Sequence, residues 1–289
     1  MYNQPITHKA RTAIVFIIDC SMSMRQGAKI GNLVRTKIEI ISLICNMMID
    51  ELVLRATRGD KVRNYYDIAV LGYSRGRVES LLPGEGDGFV AIDRLVEMMP
   101  MPKTLDIEQQ DGDGNTITAP ITLHEWIKPR AAGSTPMHEA LAYVHMLVDE
   151  WCRNLDNRYS FPPIVFHITD GGCSDADEPA LLDIAKRITD THTEDGNTLL
   201  FNIHLSSDIW NDYHELFPNA KKFTSDRPDR TILFKMSSVV PKQLEHLVAY
   251  LLGLKHRGPY RCVAFNSSPV DLLSILNIGT ESVNNIRYL

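Results

Sequence analysis

Unbroken runs of apolar residues mark the strands that this chain is predicted to form. Strands buried on both faces show such runs, because a parallel sheet covered by helices has no wet face. The first run ends directly at Asp19, and a later one ends at Asp170. The predicted strands are residues 13–18, 67–73, 163–169 and 198–205, with a short return strand at 77–82 and a further strand at 231–234.

Apolar residues spaced three and four positions apart mark the helices. The longest such segment runs from Ile30 to about Ala56 and includes Ile38, Ile41 and Ile44. Because strands and helices alternate along the chain, we expect an α/β fold: a doubly wound, three-layer, mostly parallel sheet with helices on both faces. Further helices are predicted at residues 89–99, 137–151, 178–191, 241–252 and 270–276.

Residues 83–130 interrupt this alternation. Two runs of alternating polarity flank the Asp/Gly-rich stretch at 111–115 and predict a β-hairpin. We interpret the segment as an insertion in one domain that spans residues 11–254, and residues 255–289 as a C-terminal extension.

Composition narrows the class of protein. The 289 residues, 44% of them hydrophobic, suit one large domain with an extension. A net charge of -6 argues against a nucleic-acid binder, which would usually be basic. Five scattered cysteines without a CxxC pair fit reduced thiols, and neither a secretion signal nor a membrane-spanning run is apparent. We therefore expect a cytoplasmic protein that contacts neither membrane nor nucleic acid.

Hydroxyl and carboxyl side chains stand where predicted strands end. Asp19, Ser21 and Ser23 follow the first strand, Asp170 follows another, and Thr135 precedes a helix. In open parallel sheets, ligands bind beyond the carboxyl ends of the strands, so these side chains are expected to meet. Oxygen-only sets suit hard cations, which predicts Mg²⁺, with Mn²⁺ or Ca²⁺ as alternatives.

The order Asp-x-Ser-x-Ser, then Thr, then Asp resembles the metal-ion-dependent adhesion site of von Willebrand factor type A domains. The resemblance covers about residues 13–252. It implies a six-stranded, mostly parallel sheet with one antiparallel edge strand. It also implies that Ser21, Ser23 and Thr135 bind the metal directly. Asp19 and Asp170 would bind it directly or through water.

The same resemblance bears on partners. Residues 133–141, GSTPMHEAL, are similar to bacterial intracellular members of the family, including those encoded beside tellurite-resistance genes. Some of those accompany kinases or phosphatases. The implied function is a protein-interaction module rather than an enzyme, in which an Asp or Glu of a partner protein completes the coordination of the metal. Candidates for an apolar surface that adds affinity are Met22, Met24, Met137, Trp210 and Tyr213.

One position departs from the family pattern. The family usually has glycine between the two serines, where this chain has Met22. If the backbone there requires a positive φ, a methionine would be strained. The departure bears on the tightness of the site more than on its existence.

The alternative is a serine hydrolase. Gly72-Tyr-Ser-Arg-Gly76 matches G-x-S-x-G, in which Ser74 would be the nucleophile. That motif must lead from a strand into a helix, whereas residues 77–82 are predicted to form a return strand. A turn between two strands is the favoured interpretation.

Overall fold

The computed structural model describes residues 1–30, 33–83, 88–110, 116–206, 213–254, 258–267 and 269–280. In chain order the strands are β1 (Thr12–Asp19), β2 (Gly27–Ile30), β3 (Leu33–Thr36), β4 (Thr57–Arg58), β5 (Lys61–Val62), β6 (Tyr66–Ser74), β7 (Arg77–Ser80), β8 (Val90–Ala91), β9 (Pro102–Gln110), β10 (Thr116–His124), β11 (Ile164–Thr169), β12 (His192–Thr193), β13 (Gly196–Asn197), β14 (Leu199–His204), β15 (Glu215–Leu216) and β16 (Val263–Phe265). The α-helices are α1 (Lys37–Ala56), α2 (Ile92–Leu95), α3 (Met137–Arg153), α4 (Glu178–Asp190), α5 (Pro228–Met236), α6 (Glu245–Leu251) and α7 (Pro269–Thr280).

A mixed, mostly parallel sheet organises the chain, which confirms the predicted α/β fold class. Five strands run parallel in the order β16-β14-β11-β1-β6. β15 pairs antiparallel with β16, and β7 and β8 pair antiparallel with β6. The described sheet therefore has eight strands rather than six, because short strands add at its two edges.

Side chains of β1 alternate between two cores. Ile14, Phe16 and Ile18 pack with residues of α1, α6 and α7 on one face of the sheet. Val15 and Ile17 pack with α3, α4 and α5 on the other face. This alternation is what a strand with period two requires when both of its faces are covered, and it produces the three layers.

The register of the central strands determines where the site lies. Ile18 of β1 stands opposite Ile168 of β11, and Asp19 stands opposite Tyr73 of β6. The three strands therefore end at the same level. As a result, the loops that follow β1 and β11 leave the sheet side by side.

Helix α1 begins seven residues later than Ile30, the predicted start. The residues before it form the β2–β3 hairpin. Thr36 then starts the helix through a capping box: its hydroxyl accepts from the Glu39 N–H at 3.4 Å, and the Glu39 carboxylate accepts from the Thr36 N–H at 3.0 Å. The local cap, rather than the apolar periodicity, determines where the helix starts.

One assignment near the end of the chain is corrected. Residues 231–234, predicted as a strand, lie in α5, where Pro228 occupies the first turn and Leu233 and Met236 are buried three positions apart. The described part of residues 255–289, the predicted C-terminal extension, contains β16, which pairs parallel with β14, and α7, which contacts α1. Residue 254 is therefore not a boundary of the sheet.

The predicted hairpin within residues 83–130 is present as β9–β10, and the turn at 111–115 lies outside the described residues. Asp50 of α1 anchors its base. The Asp50 carboxylate accepts from the His124 N–H at 2.9 Å and from the Trp126 indole N–H at 2.7 Å, and it also bonds the His124 ring nitrogen Nδ1.

Across the described residues, no helix combines the length and the apolar character that a membrane span needs.

Replacing Asp50 with alanine is expected to destabilise the protein by about 2–3 kcal/mol, because three hydrogen bonds to a charged acceptor are lost together. The adjacent Glu51→Ala is the matched control. It removes only a partly exposed i,i+4 pair with Arg55 and is expected to cost about 0.5 kcal/mol or less. Urea unfolding of both variants measures the difference. Equal losses would contradict the assigned role of Asp50.

Candidate metal centre

Asp19 is a fully buried carboxylate at the carboxyl end of β1. One oxygen accepts from the Ser21 N–H at 2.8 Å, and the other accepts from the Thr169 hydroxyl at 2.9 Å. Burial raises the pKa of Asp19 to about 6; the hydrogen bonds from Ser21 oppose that rise, and the charge of Asp170 adds to it. The carboxylate is thus held in place by donors from two neighbouring strand ends.

The two serines follow at once and lie against each other. The Ser21 and Ser23 hydroxyl oxygens are 3.0 Å apart, at the start of a short 3-10 helix (Met22–Arg25). Met22 lies within this helix, is not among the residues with positive φ, and donates its N–H to the Gly133 carbonyl at 2.9 Å. The methionine that replaces the usual glycine is therefore accommodated without backbone strain.

Asp170 faces this loop from the end of β11. One oxygen accepts from the Lys37 ammonium at 2.6 Å, and the other accepts from the Gly172 N–H at 3.3 Å. Burial acts to raise the pKa of Asp170, but the hydrogen bonds from Lys37 and Ser23 outweigh it and hold the pKa below its usual range. Asp170 is therefore an ionised carboxylate, linked through Ser23 to Ser21 and Asp19.

Thr135 enters from a third loop, directly before α3. Its N–H donates to the Ser174 hydroxyl at 3.0 Å, and its carbonyl accepts from the Ser174 N–H at 2.9 Å. A Cβ at Gly172 would stand 3.4 Å from Asp170 Oδ1 and 4.0 Å from the Thr135 hydroxyl oxygen. The absence of a side chain at Gly172 thus leaves open the space beside both of these oxygens.

The structure brings together all five oxygen side chains that the sequence singles out, and their chemistry fits a hard cation. Two are carboxylates and three are hydroxyls, which suits Mg²⁺ better than a soft metal. Within the described part of the chain, no group of three or more His, Cys, Asp or Glu side chains could hold a metal ion. Hydroxyls and water would therefore have to supply most of the ligands here.

The loop that carries Thr135 is braced by the G-x-S-x-G turn. Ser74 ends β6, and Arg75 and Gly76 form a tight turn into β7, so the motif lies in a hairpin and not in a strand–helix elbow. The Arg75 N–H donates to the Ser134 carbonyl at 3.3 Å. Gly133 has φ +75°, and a Cβ there would stand 2.2 Å from the Arg75 side chain, so this position requires glycine. The turn therefore positions the loop that carries Thr135.

A buried polar chain supports the site from behind. The Tyr73 hydroxyl bonds His167 Nε2 at 2.9 Å, and His167 Nδ1 bonds the Asn202 side-chain oxygen at 2.7 Å. Tyr73 also hydrogen-bonds to Thr169, the donor to Asp19. Burial lowers the pKa of His167 to about 4, so the imidazole is neutral at pH 7. His167 is therefore a hydrogen-bonded core residue, connected through Tyr73 and Thr169 to the Asp19 carboxylate.

Lys37 and Asp175 also shape the site and were not predicted from the sequence. Lys37 could have been recognised, because it lies on the same helical face as Ile41, Ile44 and Met48 and so is a charged residue on an inward stripe. Asp175 left no comparable signal: its carboxylate accepts from the His138 and Glu139 N–H groups at 3.1 and 2.9 Å and so caps α3 from another loop.

The residues predicted to form an apolar surface at the site differ in how exposed they are. Met24 and Met137 are fully buried core residues, whereas Met22 is 49% exposed beside the site. The Tyr213 ring lies under the Arg230 guanidinium, 4.1 Å from ring centroid to guanidinium carbon. Trp210 lies outside the described residues. Met22 is thus the candidate that offers an exposed apolar surface at the site.

Comparisons with known proteins add a likeness of fold. No protein-family model matches the chain, and a search of curated proteins finds no match. A solved structure described as von Willebrand factor type A from Catenulispora acidiphila is similar, with a TM-score of 0.47 and 14% identity over 95% of this chain and 43% of that one. A structure of three N-terminal domains of the type V pili tip protein Mfa5 from Porphyromonas gingivalis gives a TM-score of 0.33 and 10% identity. That match covers 57% of this chain and 20% of that one. The chain spans less than half the length of either, and at these scores the functional argument rests on the site residues.

The buried imidazole gives a test of the supporting chain. Neutral His167 contributes stability that is complete above about pH 6.5, its usual pKa when unfolded, and is lost as the pH falls toward its folded pKa of about 4. That loss amounts to roughly 3 kcal/mol for a shift of this size. We expect His167→Gln to be less stable than wild type at pH 7 and the gap to narrow steadily toward pH 4.5 in urea unfolding. The raised pKa of Asp19 makes the protein more stable as the pH falls. This effect is the same in wild type and variant, so it does not change the difference between them. A gap that is constant with pH would contradict the assignment.

Proposed function

We propose that this chain is a von Willebrand factor A-type module that binds one divalent cation, Mg²⁺ first of all, and uses it to hold an acidic residue of a partner protein. The observation that supports the proposal is the convergence of five oxygen side chains from three loops at the carboxyl edge of a parallel sheet. Mn²⁺ and Ca²⁺ remain alternative ions. The five residues are Asp19, Ser21, Ser23, Thr135 and Asp170.

Each of these residues has a distinct task in the proposed site. The hydroxyls of Ser21, Ser23 and Thr135 would bind the ion directly, and Asp19 and Asp170 would do so directly or through water. The ion would offer an open coordination position to a carboxylate from outside, because hydroxyls and water would supply most of its other ligands. Asp19 and Ser21 are already fixed by hydrogen bonds, so little ordering of these two side chains would be needed when the ion binds.

A partner that presents Asp or Glu fits this chemistry. Met22, half exposed beside the site, would pack against the apolar part of such a partner. We propose that the protein acts by binding rather than by catalysis. A kinase or phosphatase system in a bacterial cytoplasm is the setting that the family resemblance suggests, without contact with membrane or nucleic acid.

Thr135→Val tests the proposal because it keeps the shape of the side chain and removes its hydroxyl. In thermal unfolding, Mg²⁺ or Mn²⁺ added after EDTA should raise the melting temperature of wild type. A metal present at about 100 times its Kd stabilises by about 2.7 kcal/mol, which is several degrees for a domain of this size. The rise should be largely lost in Thr135→Val.

Ser134→Ala is the matched control, since it removes an exposed hydroxyl from the same loop. It should behave as wild type. Proteins retained by immobilised wild type in Mg²⁺ should be released by EDTA and should not bind Thr135→Val. Retention by that variant, or retention insensitive to EDTA, would refute a metal-dependent interaction.

A further inference from the structure

A lysine ammonium lies inside the candidate metal centre. Lys37 is fully buried, and its Nζ is 2.6 Å from Asp170 Oδ2 and 3.5 Å from the Gln26 side-chain oxygen. Buried lysines are rare unless they are paired with a carboxylate. Here the paired carboxylate is also one of the five proposed metal ligands. The ammonium and a metal ion would therefore share Asp170.

The main chain fixes Lys37 in this place. It is the first residue of α1, directly after Thr36, whose capping box with Glu39 determines where the helix starts. Its N–H donates to the Gln26 carbonyl at 3.0 Å, which ties the helix start to the loop of Ser21 and Ser23. The aliphatic part of the side chain enters the protein on the inward face of α1. The position of the charge is thus built into the fold.

The charges at the centre can be counted. Asp19 and Asp170 carry one negative charge each when ionised, and Lys37 carries one positive charge. Asp229 packs beside Gly171, and its carboxylate accepts from the Arg227 guanidinium at 3.1 and 2.9 Å, so this neighbouring pair adds no net charge. The centre without metal therefore has a net charge of one negative unit. A divalent cation would change this to one positive unit, and a carboxylate from a partner would bring it to zero.

Without Lys37 the net charge of the centre would be different in each of these states. Two carboxylates and a divalent cation would be neutral together, and an added carboxylate would leave a net negative charge. Burying an uncompensated charge is unfavourable, so each arrangement favours the state in which charges cancel. With Lys37 present, the charges cancel when the metal and an acidic ligand are both bound. Without Lys37, they would cancel with the metal alone.

We infer that Lys37 makes the binding of the divalent cation and of the partner's carboxylate cooperative: it weakens binding of the metal alone, and the carboxylate restores it. This inference rests on the proposed function of the same site. Because coupling between two ligands is reciprocal, the metal must equally be needed for the acid to bind. The chain would then hold the metal more tightly once a partner with an exposed Asp or Glu is bound.

The test measures Mn²⁺ affinity by calorimetry in wild type, Lys37→Met and Lys37→Gln. An interaction between unit charges several ångströms apart at an effective dielectric constant of about 20 is large enough to change affinity about tenfold or more. We expect both variants to bind Mn²⁺ alone at least tenfold more tightly than wild type. Lys186→Met is the matched control: it removes the same charge from an exposed pair with Asp190 on α4 and should leave the affinity unchanged.

A second arm repeats the titrations in acetate, the carboxylate probe, with chloride of equal ionic strength as reference. Acetate should tighten Mn²⁺ binding to wild type and should have a smaller effect on both Lys37 variants. Circular dichroism checks folding. If Lys37→Met, which leaves Asp170 without this partner, does not fold, Lys37→Gln retains a hydrogen-bond donor of similar length and carries the test.

The outcomes separate the two proposals. Tighter Mn²⁺ binding in the Lys37 variants than in wild type supports the inference. Equal or weaker binding in those variants overturns it while leaving the metal site in place. If no protein binds Mn²⁺, with or without acetate, the proposed function itself has failed and the inference falls with it.

Discussion

Asp19 places a carboxylate at the end of the central strand, where solvent does not reach it. An isolated buried charge would be very costly, so the surrounding structure has to supply donors. It does so through the Ser21 N–H and the Thr169 hydroxyl, which come from the loop after β1 and from the end of β11. The register of the two strands is what brings these donors to the same level. The shape of the loop edge therefore follows from the need to hold this one charge.

The loops at this edge are tied to one another by hydrogen bonds. The segment after β11 contributes Asp170 to the centre, Ser174 to the backbone of Thr135, and Asp175 to the start of α3. The β6–β7 turn contacts the Gly133 loop from the other side. Behind them, the chain from Tyr73 through His167 to Asn202 crosses the sheet. Such a completely bonded polar network favours one arrangement of the site, which is what recognition of a small ion requires.

The sequence predicted the fold class and the central strands because long apolar runs and helical periodicity are local signals. It also indicated the five oxygen side chains, since each stands at a strand end or a helix start. It did not predict β16 or β15, whose two or three residues are too short for any pattern, and it placed the start of α1 at Ile30 because periodicity continues through the β2–β3 hairpin. Residues 231–234 have strand-like composition, yet Pro228 and the neighbouring core favour a helix. Lys37 was overlooked because its role depends on a carboxylate 133 residues away along the chain.

We propose that these oxygens enclose a cation beside the Lys37 ammonium. A crystal grown with Mn²⁺ and acetate, with anomalous scattering recorded at the manganese edge, tests it most directly. We expect one strong peak, about 2.0–2.3 Å from the Ser21 and Ser23 hydroxyls, an acetate oxygen on the ion, and Lys37 still in contact with Asp170. A crystal without such a peak, or with manganese bound only at other acidic residues, would contradict it.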